Sequence, residues 1–190
     1  MSEIVGILLA AGAATRFGAN KLLHPLSDGT PIAIASLRPL RAALPRVIAV
    51  VRPGVPELAD LLARGGAEVT VCERADEGMG ASLAHAISTS AGAGGWVVAL
   101  ADMPFVQSET IACIANRLAG GAAIAAPRWG GERGHPVGFS AHFRRQLTTL
   151  SGDAGARELL RLHRDALVLI DCDDPGVVRD IDTRDDLPER

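Results

Sequence analysis

Five short runs, Ile4–Ala10, Val47–Val51, Val69–Cys72, Trp96–Ala101 and Ala122–Ala126, are apolar on both alternating faces. A strand that is apolar on both faces must be covered on both faces. Between these runs lie longer segments, Ile32–Ala43, Val55–Ala63, Ala81–Ser90 and Glu109–Leu118, whose Leu, Ile and Ala recur at helical spacing. Strand and helix patterns in alternation predict an α/β fold of three layers, α/β/α, around a mostly parallel, doubly wound sheet. Beyond residue 127 a Gly- and Pro-rich loop, 129–136, precedes a short strand at Val137–Phe139. Helices are expected at 141–149 and 155–163, then a strand at Leu167–Ile170 and a closing segment, Val177–Asp182. No repeat or linker divides the chain, and 190 residues suit one domain spanning 1–190.

A net charge of −3 gives no broad electrostatic reason to bind nucleic acid or an anionic membrane. Tyr is absent, so a stacking platform for single strands is not expected either. The apolar runs are too short to span a bilayer, and the first residues lack the basic region of a secretory signal. Cys72, Cys113 and Cys172 are odd in number and form no C-x-x-C pair, which fits thiols in a reducing compartment. These features predict a cytoplasmic protein.

In a doubly wound sheet, ligands sit outside the carboxyl ends of the strands, so the chemistry belongs just after each one. The first strand runs into Leu9-Ala10-Ala11-Gly12 and then, through Arg16, Phe17 and Gly18, to Lys21. Small residues there let backbone N–H groups approach phosphate oxygens, and Arg16 and Lys21 add two cations. Lys21 is separated from Gly18 and followed by Leu22, which excludes a P-loop. The dinucleotide fingerprint G-x-G-x-x-G is missing, and Arg52-Pro53 stands after the second strand where an acid would be expected. An oxidoreductase on a Rossmann sheet therefore ranks last.

The fourth strand ends in Asp102-Met103-Pro104. A carboxylate there needs compensation, either from a hard divalent cation or, more plainly, as a cap for a following helix. After the third strand comes Gly78-Met79-Gly80-Ala81-Ser82-Leu83, read from the residues as a glycine turn with Ser82 near a helix start. Asp182 and Thr183 open a short terminal helix on the same kind of reading. His135 sits in its loop, and Asp153 is placed to cap a helix with Arg157 one turn on.

Leu-Ala-Ala-Gly at 9–12 followed by Arg16-x-Gly18-x-x-Lys21 resembles the nucleotidyltransferases of glycosyltransferase-A-like (nucleotide-diphospho-sugar transferase) fold. Within that group the chain is similar to the molybdenum cofactor cytidylyltransferases, whose guanylyltransferase relatives usually carry Gly and Asp where Ala11 and Asn20 stand. The resemblance implies Mg²⁺-dependent transfer of CMP from CTP to the terminal phosphate of a pterin-type cofactor, with release of pyrophosphate. It implies catalytic roles for Lys21, Arg16 and Asp102, and nucleotide contacts from Leu9, Ala10, Ala11, Gly12, Arg16, Lys21, Gly78, Gly80, Ser82 and Asp102. Asp102 and Asp182 would hold the metal. His135, Asp153 and Arg157 would face the pterin, and a molybdoenzyme would be the eventual acceptor of the product. A related enzyme using GTP or another phosphorylated acceptor, and a non-catalytic cofactor-binding accessory protein, remain as alternatives.

Overall fold

A computed structural model describes residues 3–12, 17, 20–90, 92–153 and 155–187. Its centre is a parallel block formed by β1 (Ile4–Leu9), β2 (Val47–Val51), β3 (Glu68–Val71) and β4 (Gly95–Leu100). The remaining strands are β5 (Ile124–Trp129), β6 (Glu132–Arg133), β7 (Val137–Ser140) and β8 (Leu167–Asp171). The order is β3-β2-β1-β4-β7-β5-β6, with β8 parallel to β5. β7 lies antiparallel between β4 and β5. The reversal follows from the short path through β6, which turns the chain back on itself where no helix intervenes to make a parallel crossover.

Alternation along β1 explains the layers. Val5, Ile7 and Leu9 enter one core cluster, while Leu8 and Ala10 enter the other. α1 (Ile32–Ala43), α2 (Pro56–Arg64) and α4 (Ser108–Ala119) close the Leu8 face with Leu37, Leu40, Leu58, Leu62, Ile111 and Ile114. α3 (Met79–Thr89), α5 (Arg144–Thr148) and α6 (Arg157–Leu162) close the other with Leu83, Ile87, Leu147, Leu159 and Leu160. Trp96 is fully buried there, its indole N–H donating to Ser90 Oγ at 2.7 Å. The expected α/β/α sandwich is what forms. Among the described residues no helix is long and apolar enough to cross a membrane.

Differences from expectation fall in the C-terminal third. The 141–149 helix divides into a 3-10 turn, Ala141–Phe143, and the short α5. β5 begins later and extends further than its apolar run, because β8 pairs along it as far as Arg128↔Asp171. The closing segment holds a 3-10 turn, Pro175–Val178, after which Ile181 is fully buried and donates its N–H to the Asp102 carbonyl at 2.9 Å.

Asp174, which the sequence did not single out, ties that segment to the start of α4. It is almost completely buried and accepts from Gln107 N, Thr110 Oγ1 and Gly176 N at 2.9, 2.7 and 3.0 Å. It thus satisfies an open N–H at the start of α4, where Gln107 itself offers no side-chain cap. Asp174→Ala removes three charge-assisted bonds and strands a buried hydroxyl, which should destabilise the fold by about 3 kcal/mol. Thermal unfolding should show Tm lower by roughly 6–12 °C. A fall of less than 2 °C would show that the bonds are replaced by water.

Candidate active site

β1, β2 and β4 end side by side, and their last hydrogen bonds, Ala10 N to Val50 O and Ala101 N to Leu9 O, carry the chain to the sheet rim in register. Beyond the rim opens a cleft of about 430 Å³. Leu9, Ala10, Ala11 and Gly12 line it from β1, Asp102 from β4, Gly78, Met79 and Ser82 from the start of α3, and Lys21, Asp153 and Asp182 from elsewhere in the chain. Gly12 is exposed, and a Cβ added there would meet nothing within 4 Å, so its backbone is open to a ligand. Arg16 lies outside the described residues.

Lys21 is held in a one-turn 3-10 segment, Lys21–Leu23, pinned by Leu22 in the core. Only 8 % of Lys21 is exposed. Its Nζ donates to Asp102 Oδ2 at 2.9 Å and to Asp182 Oδ1 at 3.2 Å. Burial opposes the ammonium charge, but the two carboxylates outweigh it and raise its pKa. Asp102 is not the cap of a helix: α4 begins at Ser108, six positions on. Asp182 reaches the same place because Ile181 is hydrogen-bonded to Asp102, so a strand-like alternation turns Ile181 inward and its neighbour outward. Thr183 opens the terminal turn in a capping box with Asp186.

Two carboxylates within 3.2 Å of one cationic nitrogen are a donor set that a divalent ion can share. Among the described residues no three His, Cys, Asp or Glu side chains group to hold a metal, so phosphate oxygens or water would have to complete its shell. That pattern fits Mg²⁺, which is bound through one or two carboxylates plus substrate phosphates. Asp180, unassigned by the sequence reading, stands near this pair: burial first, then Asp182 and Asp102, raise its pKa.

The loop before α3 and the loop before α6 are locked together. Gly78 has φ +109°, a conformation open to glycine, and its α-carbon packs on the Gly152 backbone. Gly80 donates its N–H to Gly152 O at 2.8 Å and packs against the Ser151 backbone. Gly80 therefore shapes the loop from behind and does not line the cleft, whereas Gly78, Ser82 and Asp153 do. Arg52 and Asp76, paired at 2.7 Å, also line this end of the cleft. Arg52 follows β2 at its carboxyl end, so the rule used for the other loops would have found it.

The remaining substrate-side candidates lie apart. Neither His135 nor Arg157 lines the cleft. His135 donates its backbone N–H to Val177 O at 2.8 Å, and the residue borders a small void with Ser36, Met103 and Pro136. Burial, with Arg133 adding repulsion, pushes its pKa down to about 4, so the ring is neutral at pH 7.

The family model for the MobA-like NTP transferase domain matches residues 6–175. The chain belongs to this family. Two curated relatives are each 31% identical over 95% of this chain and 92% of their own: purine catabolism protein PucB of Bacillus subtilis and nicotine blue oxidoreductase of Paenarthrobacter nicotinovorans. Rv0371c of Mycobacterium tuberculosis superposes with a TM-score of 0.83 at 31% identity, covering 97% of this chain and 95% of its own. A second structure of Rv0371c, a complex with manganese, gives 0.79 at 29%, covering 97% and 96%. A nucleotidyl transferase from Methanothermobacter shares the fold, with a TM-score of 0.82 at 22% identity over 97% and 94% of the two chains. This MobA-like protein is thus a nucleotidyltransferase-family enzyme whose cleft stands at the carboxyl rim of its parallel strands.

Proposed function

We propose that this chain, acting as one unit over residues 1–190, is a cytoplasmic cytidylyltransferase that moves CMP from CTP to the terminal phosphate of a molybdenum-pterin cofactor. The observation that carries the reading is the convergence of Lys21, Asp102 and Asp182 at one point of the cleft rim. An acceptor phosphate attacks the α-phosphorus, the bond to the β-phosphate oxygen breaks, and pyrophosphate leaves. No protein nucleophile is needed, since the acceptor phosphate supplies one.

Phosphoryl chemistry of this kind asks a protein mainly for positioning and charge neutralisation. The 9–12 backbone receives the triphosphate, and Arg16 and Lys21 balance its charge. Ser82 and the Gly78 backbone face the base, and the cleft floor of Leu9, Leu100 and Ala101 excludes water from one side. Asp102 and Asp182 would hold Mg²⁺, which would supply positive charge to neutralise the phosphates. The manganese complex of Rv0371c supports a divalent ion here. The product would pass to a molybdoenzyme.

The test is pyrophosphate release with Mg²⁺, each nucleoside triphosphate in turn, and molybdopterin or its molybdenum form as acceptor. CTP should support release about tenfold or more faster than GTP, and only with the pterin present. Faster release with GTP would overturn the base assignment. Tight pterin binding with no release from any nucleotide would make the chain an accessory carrier instead. The name of the Paenarthrobacter relative favours one further reading, an oxidoreductase. Against it stands the lack of the glycine fingerprint, and saturable nicotinamide binding in a titration would revive it.

A further inference from the structure

Arg52 and Asp76 meet because β2 and β3 end together. Cys72 donates its N–H to Val51 O at 2.9 Å, which brings the residue after β2 beside the turn after β3. That 3-10 turn, Ala75–Glu77, is held by N–H bonds from Ala75 to Cys72 O and from Gly78 to Ala75 O, each 3.1 Å. Arg52 Nη2 then donates to Asp76 Oδ1 at 2.7 Å. Two neighbouring pairs are built differently. Arg46 grips Glu68, and Arg74 grips Glu77, each through two bonds that occupy both carboxylate oxygens. Neither of those pairs lines the cleft. The Arg52–Asp76 pair does, and among the described residues its single bond leaves Asp76 Oδ2 and the Nε and Nη1 donors of Arg52 unengaged. With side chains 31 % and 84 % exposed, the pair adds little to stability. An open acceptor beside open donors at a cleft wall is a set that can read the edge of a ligand.

Position along the rim decides which part of the ligand it meets. β4, β1 and β2 are successive neighbours, so the ends of β2 and β4 lie about 10 Å apart, two strand spacings. Asp102, bonded to Lys21, stands after β4, and the 9–12 segment stands between, after β1. A nucleotide with its α-phosphate at Asp102 carries its ribose across β1 and its base to the β2 side, where Gly78 and Ser82 also line the cleft. Cytosine shows an exocyclic amine followed by two acceptors, ring N3 and O2. Asp76 Oδ2 can accept from the amine while the Arg52 fork donates to N3 and O2. Uracil puts a carbonyl where the amine stands, so two acceptors would face each other at Asp76. Guanine in the same orientation sets a carbonyl against Asp76 and two donors against Arg52. Adenine supplies the amine but only one ring acceptor beside it.

We infer that the Arg52–Asp76 pair reads the base of the nucleotide and selects cytosine, Asp76 by accepting from the amine and Arg52 by donating to the two acceptors beside it. This deepens the proposed function and rests on its placing of the α-phosphate at Asp102. It gives the two residues no part in binding phosphate.

The test is calorimetric titration of CTP, UTP, GTP and inorganic tripolyphosphate with Mg²⁺ and no acceptor. The parent should bind CTP about tenfold more tightly than UTP, a modest ratio because the pair is open to water. Asp76→Asn presents an amide that can turn either its oxygen or its NH₂ to the base, so the ratio should fall to within about threefold. Arg52→Met should weaken CTP by about tenfold and leave tripolyphosphate within twofold of the parent. Asp76 is too exposed for its substitution to threaten the fold, which keeps the test open should Arg52→Met fail to fold. A parent that binds UTP or GTP as tightly as CTP overturns the inference. So does an unchanged CTP-to-UTP ratio in Asp76→Asn, or an equal loss of CTP and tripolyphosphate in Arg52→Met, which would put Arg52 on the phosphates. Binding is read without turnover, so selection of CTP through this pair with no pyrophosphate release would refute the transfer reading alone. Pyrophosphate release from CTP with the parental ratio kept in Asp76→Asn would refute the base reader alone.

Discussion

Lys21→Ala should lower kcat/KM for pyrophosphate release by about a hundredfold or more, some 3 kcal/mol of transition-state stabilisation. The size follows from where the ammonium sits. It is almost fully buried at the cleft wall and bonded to two carboxylates that together carry more negative charge than it neutralises. When a triphosphate enters, the same nitrogen lines the cleft where it can balance the added charge. Alanine leaves Asp102 and Asp182 facing incoming phosphate with no positive charge between them. Both the ground-state complex and the transition state suffer, so KM should rise while kcat falls. The fold should survive, since Leu22 anchors the turn in the core. Far-UV circular dichroism and Tm within a few degrees of the parent would confirm that. A kcat/KM within threefold of the parent would remove Lys21 from the catalytic machinery.

Asp102→Asn should be of similar size, about a hundredfold or more, but with a different signature. The side chain keeps its shape, and the backbone bond from Ile181 to the Asp102 carbonyl does not involve the substituted group. What disappears is one unit of negative charge at the rim. The Mg²⁺ concentration for half-maximal rate should rise by about tenfold, because Asp182 is left as the lone carboxylate of the pair. Mn²⁺, which binds such oxygen sites more tightly, should restore part of the lost rate. A variant whose metal dependence matched the parent would show that Asp102 only holds Lys21 in place. The two substitutions should also be far from additive, since each removes a partner of the other's charge.

Much of this architecture was legible along the chain. Val47–Val51 reads the same in pattern and in space because a wholly apolar run bounded by Pro45 and Arg52-Pro53 has no other stable home than a buried strand. Asp102 was visible because the carboxyl end of a buried strand is a poor place for an uncompensated charge. Arg52 was overlooked as a cleft residue, although it obeys the same positional rule. Asp174 was beyond reach by that route, since it matters through contacts more than 60 residues away that no local period encodes. Gly80 shows the limit in the other direction. A glycine in the expected loop turns its N–H to Gly152, and only the meeting of two loops reveals it.

Local chemistry therefore determined the α/β/α layering, the rim where ligands gather and the chemical types gathered there, because burial and strand ends are properties a short stretch of residues states by itself. Tertiary structure alone decided that β7 runs antiparallel between β4 and β5, that Ile181 carries Asp182 to the side of Asp102, and that one buried ammonium joins the two. Those outcomes depend on which distant segments share a hydrogen bond or a core position. An electrostatic field falls off through space, with no regard for separation along the chain.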